Sequence, residues 1–387
     1  MWAASASSSP AVSAKSRPQC IRDPSLRLAG RRLLRPLPLR RASVNNEAPV
    51  DWDTFEGFAL RETDSMYVAK CRGGETWNPG KIEPYGNLSF SPAAGILNYG
   101  QGVFEGIKAY RTEKNRIVTF RPDKNAERCA EGCARLSMPP VPQDMFVDAV
   151  KQVVRANTRW VPPKGRGALY IRPLVLGSGP VLGLAPAPEY TFLIYVSPVG
   201  NYFKSGLEPI HLVVDPSVKR AAPGGTGGVK HIGNYAPVLQ TQRSYKGAGY
   251  SDVLYLDAVH NKFVEEVSSC NIFALGKDGT VRTPRLSGTI LPGITRMSII
   301  QLLKDKGFPV EELDLSIDQL MDASEVFCTG TAVVLAGVGS VTYNGIKAQF
   351  SQGSDVGPVT RDLYDTLTGI QSERLEDPYL WVVEVEH

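Results

Sequence analysis

Segments with strand-like and helix-like periodicity follow one another along this chain of 387 residues without a regular rhythm. Apolar residues at every second position predict strands, whereas apolar residues three and four positions apart predict amphipathic helices. A doubly wound sheet needs strands and helices in strict alternation, so this pattern favours an α+β fold. Strands are predicted at residues 168–176, 190–196, 209–214, 253–256, 271–275 and 325–328, and helices at 126–136, 144–160, 234–245, 294–306 and 359–371.

A break in the apolar pattern divides the chain into two domains. At ~150 residues per domain, a chain of this length holds about two. Turn-forming residues (Gly-Asn-Tyr-Phe-Lys-Ser-Gly) at 200–206 separate two predicted strands. We therefore predict a smaller N-terminal α/β domain over 47–199, a linker at 200–209 and a larger C-terminal domain over 210–387.

The first 46 residues differ from the rest in charge and composition. They contain nine basic residues and one acid, and they open with a run rich in serine and alanine. An arginine-rich, serine-rich and acid-poor segment is typical of an organelle transit peptide, whereas a secretory signal needs an unbroken apolar core. We predict that residues 1–46 are a transit peptide, disordered or removed on import. The opening favours the chloroplast over the mitochondrion, and a disordered basic tail is the alternative.

Composition argues against several classes of function. Without the basic leader, the body has a net charge of −4, which does not suit a nucleic-acid surface. No apolar run approaches the ~20 residues of a membrane helix. The six cysteines and four histidines lack the paired spacings of a zinc site or a disulfide framework. We expect no metal, no nucleic acid and no membrane contact.

A glycine-rich segment, Gly-Gly-Thr-Gly-Gly-Val-Lys at 224–230, is the first of four that point to chemistry. Glycines allow a ligand to approach the backbone closely, and a single lysine follows them. A phosphate-binding P-loop requires glycine directly before the lysine and serine or threonine after it. Val229 and His231 occupy those positions, so the P-loop motif fails, although a nucleotide-binding module stays an alternative.

The other three segments lie in the C-terminal half. Glu265 and Glu266 lead directly into an apolar strand, where a buried carboxylate needs a partner such as a protonated heterocycle nitrogen. The run Thr-Ile-Leu-Pro-Gly-Ile-Thr-Arg at 289–296 opens a helix, whose free amides and dipole attract an anion. The turn Cys-Thr-Gly-Thr-Ala at 328–332 offers amides and hydroxyls for a carboxylate or phosphate.

Together these segments resemble the fold type IV class of pyridoxal-phosphate enzymes, the class IV aminotransferases. That class has a glutamate, a small residue two positions later, then Asn-aliphatic-aromatic, Val-x-Thr and Leu-x-Gly-Ile-x-Arg. This chain has Glu266, Ser268, Asn-Ile-Phe at 271–273, Val-Arg-Thr at 281–283 and Leu-Pro-Gly-Ile-Thr-Arg at 291–296. The match selects Glu266 rather than its neighbour, and it implies two domains, the larger a pseudo-barrel.

Within that class, the chain resembles the plant plastid type of branched-chain amino acid aminotransferases from about residue 58 to 371. The resemblance rests on segments 97–110, 120–122 with Arg128, 169–173 and 228–235. It implies transamination between leucine, isoleucine or valine and 2-oxoglutarate, with pyridoxal 5'-phosphate as cofactor. The alternatives are a transaminase for methionine-derived 2-oxo acids, another fold type IV enzyme such as D-amino-acid transaminase, and a noncatalytic protein built on a decayed enzyme.

The resemblance also implies the role of each site residue. Lys230 is the catalytic lysine that bonds to the cofactor aldehyde and moves the substrate proton, which requires a neutral amine. Glu266 pairs with the protonated ring nitrogen, so that the ring accepts electrons. The implied cofactor-binding residues are Arg128, Lys230, Tyr235, Glu266, Ser269, Ile294, Thr295 and Thr331, and the implied substrate-binding residues are Phe58, Tyr99, Phe104, Tyr170, Arg172, Tyr202 and Ala332.

Relatives of this kind pair as homodimers, and the loop at 177–184 stands where one subunit reaches the other's site. Some positions depart from the family pattern. A Cys-x-x-Cys present in animal relatives is replaced by Val-Val-Leu-Ala at 333–336, and Ser-Ser-Cys stands at 268–270. The sequence leaves open the preferred branched-chain substrate, the net direction in the cell, and the roles of Lys108 and of the tail at 374–387.

Overall fold

A computed structural model describes residues 50–52, 57–200, 207–351, 353 and 355–385. The predicted transit peptide, most of the predicted linker and Tyr202 lie outside these described residues. The model combines helices with two large sheets, which confirms the α+β prediction. Among the described residues, no helix is both long enough and apolar enough to cross a membrane.

The first sheet has eight strands and is antiparallel throughout. Seven come from the N-terminal half, and one comes from the C-terminal tail. The strands are β1 (Ser65–Arg72), β2 (Lys81–Pro84), β3 (Gly102–Phe104), β4 (Ile107–Arg111), β5 (Ile117–Phe120), β6 (Ala168–Gly177), β7 (Glu189–Val199) and β17 (Val382–Glu384). Their order is β17-β5-β4-β6-β7-β1-β2, and β3 pairs with β6.

The second sheet has nine strands in a mixed arrangement, with β8 parallel to both of its neighbours. Its strands are β8 (Ile210–Val214), β9 (Asp252–Leu256), β10 (Val264–Val267), β11 (Asn271–Leu275), β12 (Val281–Pro284), β13 (Val310–Leu313), β14 (Glu325–Gly330), β15 (Val334–Tyr343) and β16 (Ile346–Gln349). The order is β10-β9-β8-β15-β14-β11-β12-β13, with β16 against β15.

Seven α-helices accompany the sheets in the described part of the chain: α1 (Gly95–Tyr99), α2 (Pro122–Arg135), α3 (Gln143–Arg155), α4 (Leu239–Gly247), α5 (Ile294–Asp305), α6 (Ile317–Met321) and α7 (Pro358–Gln371). The apolar face of α3, which includes Phe146, Val150 and Val153, packs with Phe192 of β7 in the core of the first sheet. The apolar residues of α5 and α7 share another core with Phe273 and Phe327 of the second sheet.

Three predicted helices differ from the observed ones by several residues at one end. The helix predicted at 126–136 begins earlier, at Pro122. The helix predicted at 144–160 ends at Arg155, because the Asn157 side chain donates to the Val153 carbonyl and accepts from the Ser65 amide. The helix predicted at 234–245 begins only at Leu239. Pro237 disfavours the helical conformation of the residue before it, and the chain there forms short 3₁₀ turns instead.

The C-terminal tail joins the two sheets. Strand β17, within the part assigned from sequence to the larger domain, pairs with β5 of the first sheet. Trp381 packs against Phe120, with the ring centroids 5.6 Å apart, and the Arg121 guanidinium lies 5.0 Å from the Trp381 ring centroid. The predicted domain boundaries stay a prediction. The described part of the C-terminal tail packs with residues of both halves of the chain.

Candidate active site

The segment before Lys230 is glycine-rich because the backbone there packs against another loop. A Cβ on Gly227 would lie 2.3 Å from the Thr289 carbonyl oxygen, and one on Gly228 would lie 2.7 Å from the Gly288 oxygen. Only glycine fits such close approaches. The Lys230 carbonyl in turn accepts a hydrogen bond from the Phe104 amide at 3.2 Å, so this lysine is fixed at the junction of the two halves.

The Lys230 amine lies between two aromatic side chains. Its Nζ donates a hydrogen bond to the Tyr235 hydroxyl at 3.1 Å and lies 4.5 Å from the Phe104 ring centroid. The two rings meet edge to face, with centroids 4.9 Å apart. A primary amine held by a phenol and an aromatic ring in a partly buried cleft is placed to react with an aldehyde and to carry a proton.

Glu266 lies on the buried strand β10 and is 2% exposed. Its Oε1 accepts from the Leu291 amide at 3.0 Å and lies 2.6 Å from the nearest guanidinium nitrogen of Arg220. Burial raises the pKa of Glu266 to about 7, and the positive charge of Arg220 opposes that rise. The side chain is therefore near its ionisation midpoint at neutral pH and can accept a proton from a ligand.

Sequence reasoning missed Arg220 entirely. Its guanidinium is buried beside Glu266, yet the two residues lie on different elements and share no motif. An arginine after a lysine in a loop is ordinarily a surface residue, so a single sequence contains no signal for this pairing.

The start of α5 has backbone amides that would suit an anion. A Cβ on Gly293 would lie 2.0 Å from the Asn271 side-chain oxygen, so that position accepts only glycine. The Asn271 amide also donates to the Leu291 carbonyl at 2.9 Å and so fixes the chain that enters the helix. No side chain caps α5, which leaves the first-turn amides of Ile294 and Thr295 available to an anion. Both residues line a cavity that Thr331 and Gly330 share.

Arg128 lies beside that helix start and is held by an acid that sequence reasoning assigned no role. The fully buried Glu105 accepts from the Arg128 Nε at 2.8 Å and from a terminal nitrogen at 2.6 Å. The other terminal nitrogen of Arg128 donates to the Pro292 carbonyl at 3.0 Å. Asn125 donates to the same acid at 2.7 Å. The guanidinium therefore has a fixed orientation next to the entrance of α5.

Four side chains of the predicted substrate pocket form a chain of contacts. The Arg172 guanidinium lies 4.8 Å from the Phe104 ring centroid and 5.1 Å from that of Tyr170. Phe58 meets Tyr170 edge to face at 5.1 Å. A Cβ on Gly106 would lie 2.2 Å from the Tyr170 hydroxyl. Any larger residue at position 106 would therefore displace the Tyr170 ring. The result is an aromatic wall with one cation on it.

Lys108, whose role the sequence left open, faces the same cleft. It pairs with Tyr170 across β4 and β6, which places both side chains on one face of the sheet. Its Nζ donates to the Ala332 carbonyl at 2.7 Å, and burial lowers its pKa to about 8. Lys108 therefore connects the first sheet to the turn that contains Thr331.

Two predicted site residues lie apart from the contacts described above. The Tyr99 hydroxyl donates to the Leu182 carbonyl in the 177–184 loop, and the side chain is 40% exposed. Ser269 is also exposed, with its hydroxyl 3.9 Å from the Cys270 sulfur. Tyr202 lies outside the described residues. Groups of acids, histidines or cysteines able to hold a metal ion are absent from the described part of the chain.

The assembled groups fit a flat aromatic aldehyde that bears a phosphate and a basic ring nitrogen. Lys230 would supply the amine for the aldehyde, and Glu266 would supply the carboxylate for the nitrogen. The amides of Ile294 and Thr295, with the Thr331 side chain, suit the phosphate. A purely structural salt bridge does not need an acid whose pKa is raised. A buried acid with a raised pKa close to an amine is therefore typical of a functional site.

Comparisons with known proteins agree with this geometry. The model of the family described as amino-transferase class IV matches residues 102–341. The chain is 57% identical to the chloroplastic branched-chain amino acid aminotransferase 2 of Humulus lupulus over 338 residues, 87% of this chain and 82% of that protein. It is 55% identical to the chloroplastic branched-chain-amino-acid aminotransferase 5 of Arabidopsis thaliana over 343 residues, 88% of this chain and 82% of the relative.

A solved structure shows the same fold. The branched-chain amino acid aminotransferase of Escherichia coli superposes with a TM-score of 0.72 at 29% identity. The match covers 84% of this chain and all of that one.

Proposed function

The chain belongs to the class IV aminotransferase family, and we propose that it exchanges the amino group between leucine, isoleucine or valine and 2-oxoglutarate. Pyridoxal 5'-phosphate is the cofactor of that family. One observation carries the proposal: the Lys230 amine is close enough to the buried Glu266 carboxylate to favour its ionised form, and that carboxylate accepts a hydrogen bond from Leu291, three residues before the uncapped start of α5. The branched-chain relatives, at 57% and 55% identity, support the substrate class.

Each group of the site has a separate task in this reaction. When bound, pyridoxal phosphate supplies an aldehyde that takes up the amino group and a ring that accepts electrons. Lys230 would move the proton from the substrate α-carbon to the cofactor carbon that carries the aldehyde, and the Tyr235 hydroxyl would orient its amine. The Glu266 carboxylate would keep the ring nitrogen protonated. The Ile294 and Thr295 amides, Thr331 and Arg128 hold the phosphate.

The aromatic wall and Arg172 account for two kinds of substrate in one pocket. Phe58, Phe104 and Tyr170 offer apolar surface to a short branched side chain. The Nε of Arg172 is buried and has no hydrogen-bond partner within the described residues. A buried free donor at the edge of an apolar pocket suits the second carboxylate of 2-oxoglutarate. Lys108 holds the Thr331–Ala332 turn, which is placed to bind the other carboxylate.

The substrate class is tested by comparing kcat/KM for leucine, isoleucine, valine and methionine with 2-oxoglutarate as acceptor. An apolar pocket distinguishes side chains of similar size by ~10–200-fold. We expect each branched substrate to exceed methionine by about 10-fold or more. A preference for methionine would contradict the proposed substrates while leaving the transaminase chemistry intact, and a protein without transaminase activity would contradict both.

The location proposed for the mature protein is the chloroplast. Residues 1–46 have the composition of a transit peptide, and the two relatives compared above are named chloroplastic.

The 177–184 loop supports a homodimer in which each subunit completes the other's pocket. Leu182 and Leu184 are 90% and 88% exposed, although leucine side chains gain by leaving water. The family resemblance implies that Tyr99 contacts substrate. Its hydroxyl is hydrogen-bonded to this loop and not to the residues around Lys230. Both facts are explained if Tyr99 and the loop face the site of a partner subunit.

Substitution of both leucines with aspartate (L182D/L184D) tests this arrangement. In sedimentation experiments, we expect the unmodified protein to be a dimer and the variant to shift toward monomer. The two aspartates carry like charges, which cannot be buried in an apolar contact. Leu380→Asp serves as the control, since Leu380 is 87% exposed and lies far along the chain from the loop. A monomeric unmodified protein, or a variant that dimerises equally well, would contradict the proposal.

A further inference from the structure

Arg220 is the one arginine found in direct contact with Glu266 among the described residues. A terminal nitrogen lies 2.6 Å from the Glu266 Oε1, and the two side chains are 2% and 3% exposed. The Arg220 Nε has no hydrogen-bond partner in the described structure. The carboxylate of Glu266 is therefore the main group that compensates this buried positive charge.

A pair this deeply buried is not explained by stability alone. Removing two charges from water costs several kcal/mol per ion, and apolar side chains of similar volume often stabilise a protein equally well. What the arginine does supply is a permanent charge. Arginine, unlike lysine, is the basic side chain that proteins use where a lasting charge is needed in a buried ion pair.

The groups that act on Glu266 show why a permanent charge matters. Arg220 and Lys230 favour its ionised form, as does the Leu291 amide, whereas burial and Glu265 favour the protonated form. Cys270 is also close enough to interact with the carboxylate. Lys230 must give up its proton to act as a base. It therefore favours the ionised form of Glu266 only while it carries that proton. Of the two cations that favour the carboxylate, Arg220 alone acts on it throughout, alongside the Leu291 amide.

We propose, on the basis of the function proposed above, that Arg220 is a positioning residue that keeps Glu266 ionised against the ring nitrogen of pyridoxal phosphate. The acid and the ring nitrogen share one proton, which lies either on oxygen or on nitrogen. Arg220 contacts the oxygen directly, so its charge stabilises the carboxylate more than it disfavours the protonated nitrogen. The proton is thereby held on the nitrogen, where it makes the ring an electron acceptor.

Arg220→Met tests this directly, because methionine keeps much of the volume and removes the charge. In the cofactor-free protein, infrared titration of Glu266 should give a midpoint of about 7 for the unmodified chain. We expect the variant midpoint to rise by ~1–3 pH units, since a nearby opposite charge has been lost. With cofactor labelled at the ring nitrogen with ¹⁵N, we expect the nitrogen chemical shift to move from the protonated toward the unprotonated value.

Two further variants separate a charge effect from damage to the fold. Arg220→Lys keeps a cation and should retain a largely protonated nitrogen. In the Glu266→Gln background, adding Arg220→Met should leave the nitrogen shift unchanged, because the group that transmits the effect has already been removed. Arg282→Met, which removes an arginine paired with Asp278 and Glu311, is the control for loss of an ion pair elsewhere and should leave both signals unchanged.

The outcomes distinguish this inference from the proposed function. If Arg220→Met left both the midpoint and the nitrogen shift as in the unmodified protein, Arg220 would have no such role, although the enzyme could still be a transaminase. If Arg220→Met did not fold, the double variant R220M/E266Q would be compared with Glu266→Gln instead. The double variant leaves no unpaired charge from this pair. A different nitrogen shift in those two would overturn the inference. An unmodified protein that bound no cofactor would overturn the proposed function itself.

Discussion

Replacing Lys230 with alanine is expected to lower kcat by at least the ~10²–10⁴-fold contribution of a general acid–base group. The loss should exceed that range because the same amine also forms the covalent bond to the cofactor. The fold should survive, since Lys230 is fixed through its backbone carbonyl, which the substitution retains. Tyr235 would lose only its bond to the amine.

Stopped-flow and steady-state assays of the variant give the rate, and borohydride reduction identifies the attachment site. In the unmodified protein, reduction should fix the cofactor to the peptide containing Lys230, and in Lys230→Ala no peptide should be labelled. Lys262→Ala is a suitable control, because Lys262 is an exposed lysine in the same half of the chain. Labelling of Lys108 or of any other lysine in the unmodified protein would refute the assignment.

Local patterns predicted some of the elements that carry the site, but not β10, which contains Glu266, or β4, which contains Lys108. The strand at 271–275 and the helix after Pro292 and Gly293 were predicted from periodicity and from residues that end strands. The tail strand β17 was not predicted, because its partner β5 lies more than 250 positions earlier and no local pattern encodes such a pairing. The late start of α4 shows the opposite case, in which a proline overrides a helical pattern that extends across it.

The site itself was only partly predictable for the same reason. The sequence pointed to Lys230 and Glu266, which stand in recognisable segments. It did not point to Glu105 or Arg220, although each contacts a predicted site residue within 2.9 Å. Each of these partners lies on a different element from the residue it contacts, within the same half of the chain, and the contact exists only once those elements have packed together.

The second large effect is expected for Glu266→Gln. Glutamine keeps the size and still accepts a hydrogen bond from the Leu291 amide, but it cannot hold a full negative charge against a protonated nitrogen. Lys230 and the start of α5 are unchanged, so cofactor should still bind. We expect kcat to fall by ~10²–10³-fold, comparable to the loss of one preorganised electrostatic contact.

The neighbouring acid provides a closely matched control for that experiment. Glu265 is buried on the same strand, and burial raises its pKa as well, but Glu266 and not Glu265 accepts from the Leu291 amide and contacts Arg220. Glu265→Gln should therefore retain most of the activity and the unmodified cofactor spectrum. Both variants remove one carboxylate from β10, so a difference between them reports the position of the charge and not its loss alone. Full activity in Glu266→Gln together with a severe loss in Glu265→Gln would show that the wrong acid had been assigned to the ring nitrogen.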